Sequence, residues 1–280
     1  MKTKKRKSSF TMLIFVVVFL IGLSLVLYPS VSNYWNSLHS TKAIATYAQD
    51  VADISEEKYK KIWQDALDYN QHKPQNTDEY ALTDSERANY ENLLNVSDNG
   101  VMAYIEIPVL SVALPIYHGT SDSVLSKAIG HLEWSSLPVG GESTHCVLSG
   151  HRGLPSARLF TDLDKLVEGD IFIIYVLNEI LTYEVDQILI VEPTDLSSLS
   201  VEAGEDLCTL ITCTPYGINT HRLLIRGHRI ENLKGAVTVV ADAIQINTIY
   251  VALSTAIPVL IIIFVLFLIF SGKKIKKRNR

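Results

Sequence analysis

Two uncharged apolar runs at opposite ends of the chain constrain everything between them. Phe10 to Leu27 is eighteen residues without a charge, and Ile249 to Phe270 is twenty-two. At about 1.5 Å per helical residue the first reaches about 27 Å, close to a hydrocarbon core of about 30 Å. Pro258 inside the second would break a soluble helix, but membrane helices tolerate a proline where neighbours satisfy the backbone. A cleaved secretion signal is the competing reading of the first run. That run exceeds a signal core of about 7–15 residues, and the following YPSVSNYW is not a small-x-small cleavage site. Lys2, Lys4, Lys5, Arg6 and Lys7 precede the first run, and Lys273, Lys274, Lys276, Lys277, Arg278 and Arg280 follow the second. The positive-inside rule therefore puts both ends in the cytoplasm and the middle outside it, a two-pass arrangement.

The same charges restrict what the middle can bind. Of 25 Lys and Arg residues, the two tails hold eleven, leaving 14 against all 30 acids in residues 31–248. An acidic ectodomain is a poor nucleic-acid binder, which needs a basic face to displace counterions. An apolar content of 48% excludes a mainly disordered chain, and three cysteines exclude a disulfide-dense scaffold.

Composition divides the ectodomain in two. Residues 29–100 read as a polar helical extension. In ISEEKYKKIWQDALDYN the residues Ile54, Tyr59, Ile62, Trp63, Ala66 and Leu67 recur at three- and four-residue steps along one face. A turn-rich segment at 70–84 follows, then a short helix around Glu86–Leu94. Residues 101–232 form short runs broken by Gly and Pro: YIEIPVL, VALPIYHG, HCVLSGH, DIFIIYVL, EILTYEVDQILIVEP, CTLITC and HRLLIRGHRI. This spacing predicts a mostly β domain, a barrel or sandwich of around eight strands, with one helix over 157–166. The expected organisation is a tail at 1–9, a span at 10–28, the extension at 29–100, the β domain at 101–232, a linker at 233–248, a span at 249–270 and a tail at 271–280.

An odd number of cysteines outside the cytoplasm leaves at least one unpaired within the chain. Cys146 and Cys208 lie within expected strands and read as small buried hydrophobes, neighbours on adjacent strands, with a disulfide between them as the alternative. Cys213 ends a strand, directly before the turn-formers Pro215 and Gly217. A side chain there is held rigidly yet faces a loop-lined surface, where a nucleophile meets its substrate. A thiol with a reference pKa of about 8.5 needs a nearby base or cation to act near pH 7.

Of eight histidines, His39 and His72 fall in the polar extension, His118, His131 and His145 lie beside strands, and His221 and His228 alternate with apolar residues. His151 sits in Ser149-Gly150-His151-Arg152-Gly153, where glycines free a turn at a strand end and expose the imidazole. Arg222, on the strand after Cys213, is placed to supply positive charge to a developing oxyanion; Arg152, Arg226 and Arg229 compete with it. No Cys-x-x-Cys, His-Glu-x-x-His or phosphate-binding glycine loop occurs, so neither a metal nor a cofactor is expected.

The segment TLITCTPYGINTHRLLIRGHRI resembles the active-site region of the sortases, membrane-anchored cysteine transpeptidases of Gram-positive bacteria. Their Thr-Leu-x-Thr-Cys signature falls on Thr209, Leu210, Thr212 and Cys213, with the following-strand arginine at Arg222. LSGHRGLPSARLFTDLDKL carries the family histidine at His151. This stretch, with YIEIPVLSVALPIYHGT and LPVGGESTHCVLSGH, resembles the pilus-specific class C. The resemblance covers about 101–230 densely. It implies an eight-stranded β-barrel flanked by two transmembrane helices, and a catalytic set of Cys213, His151 and Arg222. It also implies pilin subunits with Leu-Pro-x-Thr-Gly-like signals as partners, joined to a lysine amine of the next subunit.

One feature departs from the class. Class C enzymes commonly cover the site with a lid anchored by Asp-Pro-aromatic, but residues 70–84 contain no Asp-Pro. Their proline is Pro74, after Lys73, and their acid–aromatic cluster is Asp78-Glu79-Tyr80. A differently anchored lid, an open one and an ordinary loop stay as alternatives. A cell-wall-anchoring sortase is the nearest rival function. A membrane-held surface adhesin is the non-enzymatic one, though its Leu-Pro-x-Thr signal is missing before the C-terminal run.

Overall fold

A computed structural model describes residues 4–72, 82–97 and 99–232. The expected second span at 249–270, the linker at 233–248, the C-terminal tail and residues 73–81 of the candidate lid lie outside the described residues.

Helix α1 runs unbroken over Lys4–Asp53, with Pro29 inside it. The boundary expected between a span and an extension at residue 28 therefore does not interrupt the helix. Among the described residues this is the one helix long and apolar enough to cross a membrane, with a most apolar stretch of mean hydropathy 2.5 and no burial. Beyond Pro29 the same helix docks on the β domain. Asn33 Oδ1 accepts the Arg158 amide at 2.8 Å, and Asn36 Nδ2 donates to the Lys127 carbonyl at 3.1 Å. Deeper in, the Tyr47 hydroxyl donates to the Met102 carbonyl at 2.9 Å and accepts the Leu177 amide at 2.7 Å.

Helix α2 covers Glu56–His72 and α3 Asp84–Asn92. The apolar stripe of α2 packs on the main core: Ala66 is buried, and Tyr59, Ile62, Trp63 and Leu67 are partly buried around it. A capping box starts α3, with the Glu86 amide on Thr83 Oγ1 and the Thr83 amide on Glu86 Oε2, satisfying two orphan donors of the first turn. Tyr90 on α3 is buried and accepts the Gly119 amide while bonding His131 Nδ1, tying the helix to the barrel.

Eight strands follow: β1 Val101–Ile107, β2 Val112–His118, β3 Ile129–His131, β4 Thr144–Ser149, β5 Ile171–Val176, β6 Glu179–Val191, β7 Asp206–Thr214 and β8 His221–Ile230. They close into a barrel in the order β1-β2-β3-β4-β7-β8-β6-β5. The β2–β3 and β4–β7 pairs are parallel and the other six antiparallel. Closure leaves no free edge for another chain to pair with.

Alternation along the strands sorts side chains into two layers. Cys146, Leu148, Cys208, Leu210, Leu223 and Ile225 belong to the main core inside the barrel. Val147, Ile211 and Leu224 point the other way and pack with Leu199 in a second, smaller cluster, joined by Leu189, Val191, Leu196 and Trp134. Strands buried on both faces read as continuous apolar runs, which accounts for sequences such as TLIT and RLLI.

Residues 157–166 do not form the expected helix; they form turns with one 3-10 turn at Leu163–Lys165. Ala157, Leu159, Phe160, Leu163 and Leu166 are all buried, so the segment is wrapped on several sides. A surface helix presents a single stripe instead.

Candidate active site

Cys213 is the penultimate residue of β7, and in the antiparallel ladder it lies directly opposite Arg222 near the start of β8. Cα partners in such a ladder present their side chains to the same face. Cys213 shares parity with Ile211, so that face is the outer one, beside the smaller apolar cluster. Parallel pairing supplies the third residue. Ser149 on β4 is level with Ile211, and the Gly150 amide continues the ladder by donating to the Ile211 carbonyl at 3.1 Å. Extended two residues past Ser149, where β4 ends, that register brings His151 level with Cys213. All three side chains are partly exposed and accessible.

The backbone around His151 is tightly held. Thr212 Oγ1 donates to the Gly150 carbonyl at 2.7 Å, the Phe160 amide to the His151 carbonyl at 3.2 Å, and the Gly153 amide to Thr161 Oγ1 at 3.2 Å. The two flanking glycines have different reasons. Gly153 has φ of 79°, the left-handed region that favours glycine. Gly150 is needed for space, since a Cβ there would lie 2.6 Å from both Ile129 Cδ1 and Phe160 Cδ2.

Hydrogen bonding separates the competing residues. Arg226 is committed to Asp186 and Glu202, at 2.8 and 2.7 Å. Arg229 donates to the Thr182 and Ile180 carbonyls. The Arg152 side chain is 8% exposed and bonds Asp164 and Thr214. Arg222 holds only the carbonyls of Asn219 and His221, and forms no ion pair among the described residues. Its charge is therefore not neutralised by an acid within that set.

The histidines divide in the same way. His118 faces the Gly100 and Leu93 carbonyls, and His131 is buried against Tyr90 and the Ser136 carbonyl. His145 Nδ1 donates to the Ser200 carbonyl at 2.9 Å and Nε2 bonds Thr209 Oγ1 at 2.7 Å, so both ring nitrogens are occupied. His39 and His72 bond carbonyls one helical turn back. His221 meets Thr220 and Glu192, and His228 lies 4.0 Å from Asp186. Among the described residues neither ring nitrogen of His151 bonds to protein, which leaves both for a thiol or a substrate.

Cys146 and Cys208 are direct neighbours across β4–β7, both buried and both free thiols. Burial pushes the Cys208 thiol well up, and its contact with Cys146 adds to this, the opposite of what a nucleophile needs. Sequence reasoning missed Asp164 and Thr214, which hold the Arg152 side chain, and named Thr212 as part of the signature without its bond to the Gly150 carbonyl. The signal available was a threonine on each side of Cys213, both buried.

A cysteine at a strand end, opposite an uncommitted arginine and beside a histidine of free ring, is an arrangement that can carry out cysteine acyl transfer on a closed β-barrel. Comparison with known proteins gives the family. Residues 105–230 match the family model described as Sortase domain. The crystal structure of sortase C1 from Streptococcus agalactiae is 52% identical, covering 69% of this chain and 100% of that one at a TM-score of 0.66. Sortase C of Streptococcus pneumoniae is 42% identical, covering 68% and 97% at a TM-score of 0.62. Sortase D of Bacillus subtilis is 32% identical over 129 residues, 45% of this chain and 62% of that protein's own length. The chain belongs to the sortase family of cysteine transpeptidases, and within it to class C.

Proposed function

We propose that this chain is a pilus-assembly sortase that cleaves Leu-Pro-x-Thr-Gly-like signals at the Thr–Gly bond and joins the new acyl end to a lysine of another pilin. The observation that carries this reading is the pairing of Cys213 with Arg222 across β7–β8, with His151 brought level from β4. The pneumococcal relative's structure is described as bearing on catalysis and pilin substrate specificity, which supports pilin as the substrate class.

In this reading the Cys213 sulfur adds to the threonine carbonyl carbon, and the oxyanion that develops is met by the Arg222 guanidinium. Protonated His151 gives its proton to the departing glycine nitrogen, the C–N bond breaks, and a thioester remains. A lysine amine then attacks the thioester carbonyl, His151 takes its proton, and Cys213 leaves as an isopeptide bond forms. The thioester conserves the energy of the cleaved amide until the amine arrives. No metal or cofactor enters any step. The apolar part of α1 and the run at 249–270 hold the chain as a two-pass membrane protein with the barrel outside.

Intact-mass spectrometry of the full chain in detergent micelles with a Leu-Pro-x-Thr-Gly peptide tests the chemistry. A thioester adduct on wild type, absent in Cys213→Ala, is expected; an adduct surviving in that variant would sink the reading. Deleting the gene and blotting for pilus ladders tests the biology. Intact ladders with loss of wall-anchored proteins would assign the chain to cell-wall anchoring instead.

A further inference from the structure

Hydrogen bonds bracket the His151–Cys213 pair on both sides. Before it, Thr212 Oγ1 donates to the Gly150 carbonyl at 2.7 Å. After it, Arg152 Nη1 donates to Thr214 Oγ1 at 3.1 Å. Each tie joins the immediate neighbours of the two residues. Within β7, alternation turns Thr214 to the face opposite Cys213, and the Arg152 guanidinium lies on Thr214's side. There the Arg152 side chain is 8% exposed and Thr214 is buried. The second Arg152 nitrogen, Nη2, meets Asp164 Oδ2 at 2.5 Å, and the guanidinium carbon lies 5.9 Å from the centre of the Tyr216 ring. One planar guanidinium thus links the loop after β4, the end of β7 and the turn into β8.

We infer that Arg152 is a positioning residue for the reaction: its guanidinium, held by Asp164, fixes the end of β7 through Thr214 and so sets the separation and aim of His151 and Cys213. The neighbouring interactions make this assignment specific. Without the clamp, His151 sits on a loop joined to β7 only through Gly150, and its ring has no protein partner among the described residues to orient it. Arg152 makes no hydrogen bond to Cys213 or His151 among the described residues; its guanidinium bonds Thr214 and Asp164. Its side chain also keeps Nε buried without a hydrogen-bond partner among the described residues, so the guanidinium is held where its other nitrogens are needed. A lysine at this position, a compact ammonium on a flexible stem without arginine's planar fork, cannot span Asp164 and Thr214 with the same fixed geometry.

This inference rests on the transpeptidase reading, and its test keeps the two apart. The full chain in detergent micelles is acylated with a Leu-Pro-x-Thr-Gly peptide, and the acylation rate constant and KM are measured separately. Arg152→Gln is expected to lower the rate constant roughly ten- to hundredfold, as expected for a small misplacement of reacting groups, with KM within about twofold of wild type. Arg152→Lys should recover part of the loss. Thr214→Val, close in shape and lacking only the hydroxyl, should reproduce the defect even if Arg152→Gln fails to fold. The double variant should be no slower than the slower single one, because both remove the same tie. A rise in KM at unchanged rate constant, multiplicative losses in the double variant, or wild-type rates throughout would overturn the clamp. If wild type itself is not acylated, the sorting-signal reading fails. The clamp is then judged by alkylation of Cys213 with iodoacetamide, which needs no peptide. Slower alkylation in Thr214→Val and Arg152→Gln supports it, and unchanged alkylation overturns it.

Discussion

Cys213 and Arg222 are Cα partners in the β7–β8 ladder, so both side chains leave the same face of one sheet. Neither depends on a mobile loop for its position, and Arg222 is bonded only to two backbone carbonyls near its own turn. A preorganised donor beside a nucleophile acts on charge that develops during the reaction. Arg222→Ala should therefore cut the acylation rate by about 10²–10³, with a smaller effect on KM. Arg226→Ala should not mimic it, since Arg226, on the same strand as Arg222, is engaged with Asp186 and Glu202. Single-turnover acylation of both variants checks this, and equal losses would remove Arg222 from the reaction.

Gly150 carries a second expectation. Its missing side chain makes room for Phe160 and Ile129 at distances no Cβ tolerates. Gly150→Ala should force Phe160 out of its buried position, costing about 1–3 kcal/mol by overpacking. Because His151 is the next residue, acylation should fall by roughly tenfold or more as well. Thermal unfolding and peptide acylation measured on the same sample separate the two effects. A variant with wild-type stability and rate would show that the pocket relaxes without consequence.

How far the sequence was legible follows from where each residue's partners lie. Cys213, Arg222 and the strands around them lie in one local stretch, and strand, turn and strand could be read directly from TLITCTPYGINTHRLLIRGHRI. His151 was legible through its glycines, but the reason at Gly150 was not. Phe160 and Ile129 come from other elements, and a tight approach leaves no mark on local sequence. The choice of arginine was closed to sequence for the same cause. Asp164, Asp186 and Glu202, which occupy Arg152 and Arg226, come from separate segments. β3, three residues long, is too short for an alternating pattern to register. The expected helix at 157–166 failed because its apolar residues satisfy several neighbours at once, and burial on several sides overrode helical periodicity.

Tyr47 ties the long helix α1 to the barrel through a single hydroxyl, bonded to Met102 on β1 and to Leu177 in the β5–β6 turn. Tyr47→Phe keeps the ring and leaves a buried carbonyl and a buried amide without that partner. The expected loss is about 1–3 kcal/mol, the penalty for unsatisfied buried polar groups. Chemical denaturation of the full chain in micelles, followed by tryptophan fluorescence, measures it. A loss well below that range would mean that water reaches the two backbone groups.

The pH dependence of stability should carry the signature of His145. Burial lowers its pKa, and the charge of Arg226 lowers it further, against the opposing pull of the Ser200 carbonyl. The unfolded chain therefore binds a proton more readily than the folded one below the ordinary imidazole value of about 6.5. Stability from this group is fully present above that value. It is lost as pH falls from there towards the lowered folded value. His118, which burial shifts in the same direction, adds to the loss. Glu106 and Asp206, whose carboxyl pKa values burial raises, work the opposite way at lower pH. The contribution of His145 is isolated by comparison with His145→Gln, whose amide offers both a donor and an acceptor without titrating. On going from pH 7.5 to 5.5, the wild-type melting temperature should fall further than that of the variant. Equal falls would place the acid sensitivity elsewhere, with His118 as the next residue to replace.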